Sequence, residues 1–331
     1  MRLGLTFDLQ TDPMMDERQA EFDPPSTIEA LRRALESLGH RVTLIGSAED
    51  LVRDGAGRWH DVELVFNIAE GRHGRCREAW VPTLLELFGL PYVGSDAVAL
   101  AIGLDKVMCK RLAVAADIPT PRWMTLERQE TVPEDLPVSF PVIVKPRWEG
   151  SGRAIDAGAV VRTRAELAER VQQLAALGTS PWLVEEFVPF GELTVFVMGN
   201  DPPTAYPAIQ RPLDPVTRLA FHVVQPAPTS WLAPVVLDDA LDAAARRMAL
   251  RMFEMIGCRD VARVDFRVDE QGRLFFLEIN PLPSCDPEGT MGWLAEYLGV
   301  TYAQFIGRVL ESACRRLGLT DRYHRSVAVT T

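Results

Sequence analysis

Cysteine is scarce and scattered in this chain of 331 residues. No two cysteines form a CxxC pair, and an odd, widely spaced set argues against a disulfide framework and against a zinc site. We therefore expect reduced thiols, with Cys285 as a small buried apolar residue. The five cysteines lie at positions 76, 109, 258, 285 and 314.

Long apolar runs and an excess of positive charge are also missing. No apolar run approaches the roughly 20 residues that cross a bilayer, and Asp8 interrupts the first apolar run, which argues against a signal peptide. The net charge of −11 argues against nucleic acid as a partner, because phosphate backbones demand a basic surface. We expect a cytoplasmic protein that binds neither membranes nor nucleic acid.

The most informative segment predicts a β-hairpin that carries charged residues. Its two strands, 263–268 and 274–280, are rich in β-branched and aromatic residues and are joined by a polar turn. Because side chains alternate across a strand, each strand presents two polar residues on one face. Two carboxylates, an amide and a guanidinium would then converge, which suits Mg²⁺ held against substrate phosphates; the alternative is a surface hairpin with solvated charges. These residues are Arg263, Asp265, Glu278 and Asn280.

Two upstream segments have features of an anion-binding site. A predicted buried strand, Phe140–Lys145, delivers one lysine to its end, and a loop with Gly150, Ser151 and Gly152 follows. Glycines in such a loop let backbone N–H groups approach phosphate oxygens. The segment Trp182–Val197 predicts strand, turn and strand, with acidic residues at the turn.

The order and spacing of these segments resemble the ATP-grasp superfamily, and within it the D-alanine–D-alanine ligase-like branch of carboxylate–amine ligases. The resemblance runs from about Asn67 to about Pro283. It includes Leu84–Ser95, which is similar to the family's LELxGxPYxGS run, and a DKxxxK helix at 105–110. Ile118–Pro121 then enters a central domain, and the RxDF and EIN sequences of the hairpin complete the set.

The resemblance implies an α/β fold with α+β lobes, the ATP-grasp fold. Alternating strands and helices near the N-terminus independently predict a parallel sheet with helices on both faces. We expect an N-terminal substrate-binding domain at 1–104, a central ATP-grasp lobe at 105–198 and a C-terminal lobe with the metal-binding hairpin at 199–331. The segment Asp321–Thr331 is expected to fray.

The resemblance also implies that ATP lies between the central and C-terminal lobes. Asp265, Glu278 and Asn280 match the family's metal ligands, for two Mg²⁺ ions with Mn²⁺ as an alternative. Arg263 matches the arginine that stabilises charge during acyl phosphate formation, and Ser151 lies in the loop that closes over the phosphates, so these two are the expected catalytic residues. The expected ATP-binding residues are Lys106, Lys145, Gly150, Ser151, Glu185, Glu186, Val188 and Glu192.

The substrate-binding positions depart from the family pattern. The loop Asp8–Ser26 lacks the family's glutamate motif; Glu21 or Asp23 could replace it, but the preferred interpretation is an exposed acidic loop. After the strand that ends at Asn67, Glu70 replaces the family's histidine, and arginines suited to carboxylate recognition follow it. In the turn after Asn280, two acids favour a substrate with an amine or cationic group. Candidates for the missing covering-loop lysine are Arg211, Arg218 and His222. The expected substrate-binding residues are Glu21, Glu70, Arg77, Arg218, Asp286 and Glu288.

These expectations describe an ATP-dependent ligase that joins the carboxylate of one amino acid to the amine of a second small molecule through an acyl phosphate. The altered substrate positions favour a pair other than D-alanine with D-alanine, and an authentic D-alanine–D-alanine ligase of cell-wall synthesis is the alternative. A nucleotide-binding protein without turnover and a kinase that stops at phosphorylation are non-ligase alternatives. Small amino acids are the expected partners, and family members are often dimers, so a homodimer is a further expectation.

Overall fold

Three β-sheets organise the chain in this computed structural model, which describes residues 1–11, 19, 21–127, 131–176, 181–220 and 236–327. His222 lies outside the described residues. One sheet is parallel and two are antiparallel. No helix within the described ranges is both long enough and apolar enough to cross a bilayer. The five cysteines are free, and Cys285 is buried.

The N-terminal sheet is parallel throughout, as the alternation of strands and helices predicts. Its strands are β1 (Arg2–Thr6), β2 (Arg41–Gly46), β3 (Leu64–Asn67) and β4 (Tyr92–Val93). The helices of this region are α1 (Pro25–Ser37), α2 (Ala48–Asp54), α3 (Trp80–Phe88) and α4 (Ala97–Leu104). The strand order is β2-β1-β3-β4. Because the strands are parallel, the loops after β1 and β3 leave the same edge of the sheet.

The middle sheet is antiparallel and follows helix α5 (Lys106–Ala115). Its strands are β5 (Trp123–Leu126), β6 (Val142–Pro146), β7 (Val160–Val161) and β8 (Trp182–Glu186), in the order β5-β8-β6-β7. Helix α6 (Arg164–Ala176) packs against β6 and β7. A small core that includes the fully buried Trp182 stabilises this lobe.

The third sheet contains the predicted hairpin. Its strands are β9 (Gly191–Met198), β10 (Thr204–Ala205), β11 (Ile209–Arg211), β12 (Val261–Val268) and β13 (Leu274–Asn280), and helix α7 (Asp239–Ile256) packs against them. The order is β10-β9-β12-β13, with β11 also paired to β9. The expected central lobe, 105–198, includes strand β9. This strand pairs along its whole length with β12, so the change of sheet falls between Glu186 and Gly191.

The last helices return to the N-terminal sheet. They are α8 (Thr290–Tyr297), α9 (Tyr302–Arg316) and α10 (Thr320–Val327). Helix α9 packs on α1, and Phe305 and Leu310 share one apolar core with Leu3 and Leu31. The expectation that the chain frays from Asp321 is wrong for α10, whose Tyr323 is buried in the same core. This packing holds the third sheet and the N-terminal sheet around one cleft.

Candidate active site

The hairpin brings its four polar residues together, as the alternation of side chains predicts. Arg263 pairs with Asn280 and Asp265 pairs with Glu278 across β12 and β13. The Arg263 guanidinium lies 2.9 Å from the buried Asp265 carboxylate. The Thr194 hydroxyl on β9 donates to the same carboxylate at 2.6 Å, and the Asn280 amide donates to it at 3.3 Å. These bonds fix the orientation of Asp265.

Lys106 faces the hairpin from the first turn of α5. Asp105 caps this helix by accepting hydrogen bonds from two backbone N–H groups, and Arg147 holds the Asp105 carboxylate with two bonds of 2.7 and 2.6 Å. The Lys106 ammonium lies 3.4 Å from a Glu278 oxygen and donates to the Glu149 carbonyl at 2.5 Å. The capped helix therefore places one cation opposite the hairpin carboxylates.

The donor set of the hairpin fits Mg²⁺. Burial disfavours the charged form of Glu278, but the positive charges of Lys106 and other nearby cations outweigh it and lower the Glu278 pKa to about 2. No group of three or more His, Cys, Asp or Glu residues in the described part could hold a metal ion unaided. Mg²⁺ commonly binds through one or two carboxylates together with substrate phosphates, so two carboxylates and an amide oxygen suffice only when a phosphate completes the set.

A buried chain of charges lies behind the hairpin. Glu185 on β8 lies 2.5 Å from the Lys145 ammonium and 2.7 Å from the Lys110 ammonium. Burial opposes ionisation of Glu185, but the two lysines outweigh it and lower its pKa. Lys110 was not among the expected site residues, although it is the last residue of the DKxxxK helix. Glu185, expected near the adenine, and Lys145, expected at the phosphates, are thus paired with each other.

A narrow slot separates the middle sheet from the third sheet. Val188 lines it with other apolar side chains from both sheets, including Ile143 and Leu277. Its volume of about 80 Å³ is far below the roughly 300 Å³ of pockets that hold drug-sized ligands. In this structure the slot is therefore much smaller than such a pocket.

Two further acids expected at the nucleotide lie along this slot. Glu192 is buried between Arg211 at 3.2 Å and Arg267 at 3.1 Å. Glu186 is nearer the surface, 2.7 Å from the exposed guanidinium of Arg122. The charge of the Glu192 carboxylate is therefore balanced by two arginines within the slot, whereas the ion pair of Glu186 with Arg122 is largely exposed to solvent.

The first loop reaches the glycine-rich loop through a buried ion pair. Arg77 and Glu21 form two bonds of 2.8 and 2.7 Å, with side chains 2% and 6% exposed. The Gly150 N–H also donates to Glu21, and Arg77 donates to the Trp148 carbonyl at 2.8 Å. The interpretation of Glu21 as part of an exposed acidic loop is therefore wrong. Ser151, next to Gly150, is exposed with a φ of 48°.

A larger cavity of about 460 Å³ opens beside the slot, between the hairpin and the N-terminal sheet. Ser151 and four of the expected substrate residues line it: Glu21, Glu70, Asp286 and Glu288. Arg77 and Arg218 are not among the lining residues; the Arg218 carbonyl instead accepts a bond from Arg267 at 2.9 Å. Of the candidates for the missing lysine, Arg211 lines both the cavity and the slot.

Three carboxylates on one wall of this cavity have no hydrogen-bond or ion-pair partner within the described residues. They are Asp23, Glu70 and Glu78. Burial raises the pKa of all three: that of Glu70 rises well above its ordinary value, that of Glu78 to about 8, and that of Asp23 to about 7. Glu78 is 7% exposed and was missed in the sequence. The available signal was an acid beside Arg77 in a loop that leaves the same sheet edge as the first loop.

A family model described as the D-ala D-ala ligase C-terminus matches residues 112–311, more than half of the chain. The chain belongs to the D-alanine–D-alanine ligase family. The enzyme is therefore an ATP-dependent carboxylate–amine ligase. Its hairpin, its lysines and its glycine-rich loop all lie within or close to the matched region.

Relatives of this ligase match over most of their length. Uncharacterized protein y4sG of Sinorhizobium fredii is 32% identical over 260 residues, 76% of this chain and 75% of that protein. A D-alanine–D-alanine ligase of Synechococcus sp. is 32% identical over 302 residues, 90% of each chain. The crystal structure of the D-alanine–D-alanine ligase from Bacillus anthracis complexed with ATP has a TM-score of 0.74 at 21% identity, covering 95% of this chain and 98% of that one. That likeness establishes the fold.

Proposed function

We propose that this ligase activates the carboxylate of one amino acid with ATP and transfers the acyl group to the amine of a second small molecule. One observation carries the proposal. Lys106 and Glu278 line both the slot and the larger cavity, together with Gly150 and Gly152. A nucleotide in the slot would therefore direct its terminal phosphate toward a substrate in the cavity, with Arg263 at the junction.

The proposed reaction has two steps. A carboxylate oxygen attacks the γ-phosphorus, the bond to ADP breaks, and an acyl phosphate forms. The amine nitrogen, having lost a proton, then attacks the acyl carbon and phosphate leaves. Neither step needs a covalent nucleophile on the enzyme, so positioning and charge stabilisation supply the catalysis.

Different residues in and beside the slot are proposed to contact different parts of ATP. Lys106 and Lys145 contact phosphates, and the loop at Gly150 and Ser151 closes over them through backbone N–H groups. Arg263 stabilises the charge that develops on the transferred phosphoryl group. Mg²⁺ at Asp265, Glu278 and Asn280 would neutralise phosphate oxygens and favour in-line transfer. The base and ribose are assigned to Glu185, Glu186, Val188 and Glu192.

The substrates are proposed to differ from a pair of D-alanines. The cavity is acidic, and Glu21, which could have held an amine, already binds Arg77. Asp286 and Glu288 line the same cavity at the turn after Asn280. The second candidate is a D-alanine–D-alanine ligase, which is favoured by the names of relatives such as the Synechococcus protein.

An ADP-release screen across pairs of D- and L-amino acids tests this function, with mass spectrometry of the products. We expect ADP and phosphate release that depends on both substrates, and an amide product with the mass of the pair less one water. Turnover with D-alanine alone and with no other pair would establish the second candidate. Accumulation of a phosphorylated product, or absence of ADP with every pair, would overturn the ligase proposal.

A further inference from the structure

The wall formed by Asp23, Glu70 and Glu78 has more carboxyl groups than the described residues pair with cations. Glu78 is more than nine-tenths buried and lines the cavity of about 460 Å³ without a hydrogen-bond or ion-pair partner among the described residues. A buried carboxylate without a partner is costly. Arg77, the preceding residue, donates its hydrogen bonds to Glu21 and the Trp148 carbonyl, although its charge and that of Lys106 act on Glu78. Among the described residues the wall therefore has no ion-paired cation, and a ligand could supply one.

The numbers of acidic and basic side chains that line the whole cavity support the same conclusion. Of the described residues that line it, seven are carboxylates and three are basic. The basic side chains Lys106, Arg211 and Arg263 belong to the junction with the nucleotide slot, where Glu278 and Glu192 already face them. The three carboxyl groups of the wall are outside these ion pairs, although Lys106 and Glu278 are close enough to act on Glu78 electrostatically.

A metal ion is a poor fit to this wall. No cluster of three or more His, Cys, Asp or Glu residues within the described ranges is close enough to hold one. Carboxylates that surround a cavity without converging on a point suit a larger cation with several N–H donors. An ammonium group on a flexible chain has three donors and this reach.

We propose that Glu78, assisted by Glu70 and Asp23, forms a subsite for a second ammonium group of an amino acid substrate, in addition to the α-ammonium. This inference rests on the proposed function and names its substrate class, a diamino acid. A single α-ammonium is neutralised by one carboxylate, and three unpartnered carboxylates on one wall exceed that need. The second ammonium restores the ionised, hydrogen-bonded state of the wall when the substrate binds.

Matched substrates test the subsite. Ornithine and norleucine have side chains of equal length that end in an ammonium and in a methyl group. Each would be offered, in D and L forms, with a panel of second amino acids in the ADP-release assay. We expect kcat/KM to favour ornithine by about tenfold or more, as one charge-assisted hydrogen bond supplies. Equal or greater activity with norleucine would overturn the proposal.

Two variants and a control locate the effect. Glu78→Gln should lower kcat/KM for ornithine about tenfold and leave norleucine within about twofold. Glu70→Gln provides a second variant should Glu78→Gln fail to fold. Glu254→Gln, on the exposed face of α7, removes the same charge away from the cavity and should change neither value. Equal losses for both substrates in the cavity variants would show a structural role and overturn the subsite.

Calorimetry separates this proposal from the ligase proposal. Ornithine and norleucine would be titrated into the enzyme with Mg²⁺ and a non-hydrolysable ATP analogue. Preferential binding of ornithine that Glu78→Gln weakens, with no ADP from any pair, would retain the subsite and reject the function. ADP release with neutral amino acids, without ornithine binding, would retain the function and reject the subsite.

Discussion

The two ends of the cleft differ in whether their acidic side chains are paired with cations. At the nucleotide end every acid discussed has a cation within ion-pair distance, as in the pairs of Lys145 with Glu185 and Arg263 with Asp265. At the substrate end Glu78 and its neighbours have no such partner in the described chain. The pairs hold the side chains of this end in place, and in the proposed function they are preorganised to hold the phosphates of ATP. The unpaired end is where the proposed substrate cation would bind.

The largest effect is expected when the paired end loses its buried acid. Glu185→Gln leaves Lys110 and Lys145 buried, with side chains 0% and 6% exposed, without an ionised partner. The free energy of unfolding should fall by about 3–5 kcal/mol, measured by urea denaturation. Glu186→Gln is the matched control one residue away. Because its partner Arg122 is 66% exposed, it should cost about 1 kcal/mol or less; equal losses in the two variants would contradict the difference.

A smaller effect, on catalysis, is expected at the hairpin. Asp265→Asn keeps the shape of the side chain but removes the charge that faces Arg263 and the proposed metal. ADP release should fall by about 10²- to 10³-fold at saturating substrate, with little change in the melting temperature. Asp269→Asn, in the turn of the same hairpin, removes a carboxylate that binds the Arg273 guanidinium and the N–H groups of Gln271 and Arg273, and this variant should retain activity. An active Asp265→Asn enzyme would count against Asp265 as a metal ligand.

The sequence predicts the paired end well because local rules determine it. Alternation places Arg263 and Asp265 on one face of β12 and Glu278 and Asn280 on one face of β13, and the register of the structure puts the two faces together. The lysine at the end of β6 follows from the same logic. The roles assigned to these residues remain predictions.

Other features depend on contacts between distant segments, which no local pattern encodes. Strand β9 follows a turn and could pair with either sheet, and only the packing of β12 decides. Glu21 looks solvated in its loop until Arg77, 56 positions away, binds it. Glu78 is buried because the short turn at Arg77–Ala79 packs against α4, and a single acid in a loop does not reveal that.

The smallest expected effect is a pH dependence confined to the unpaired end. Burial, together with the nearby charge of Glu21, raises the Glu78 pKa from 4.5 to about 8 despite Arg77. Between those values the folded protein binds more protons than the unfolded chain, so the free energy of unfolding falls as pH rises from about 5 to 8.

Glu78→Gln mimics the protonated acid. It should match the wild type at pH 5 and exceed its stability at pH 8 by on the order of 1 kcal/mol, measured by urea denaturation across this range. Glu254→Gln should follow the wild type throughout. Parallel curves for wild type and Glu78→Gln would mean that Glu78 ionises normally, and the carboxylates of the wall would then be solvated by water without a substrate cation.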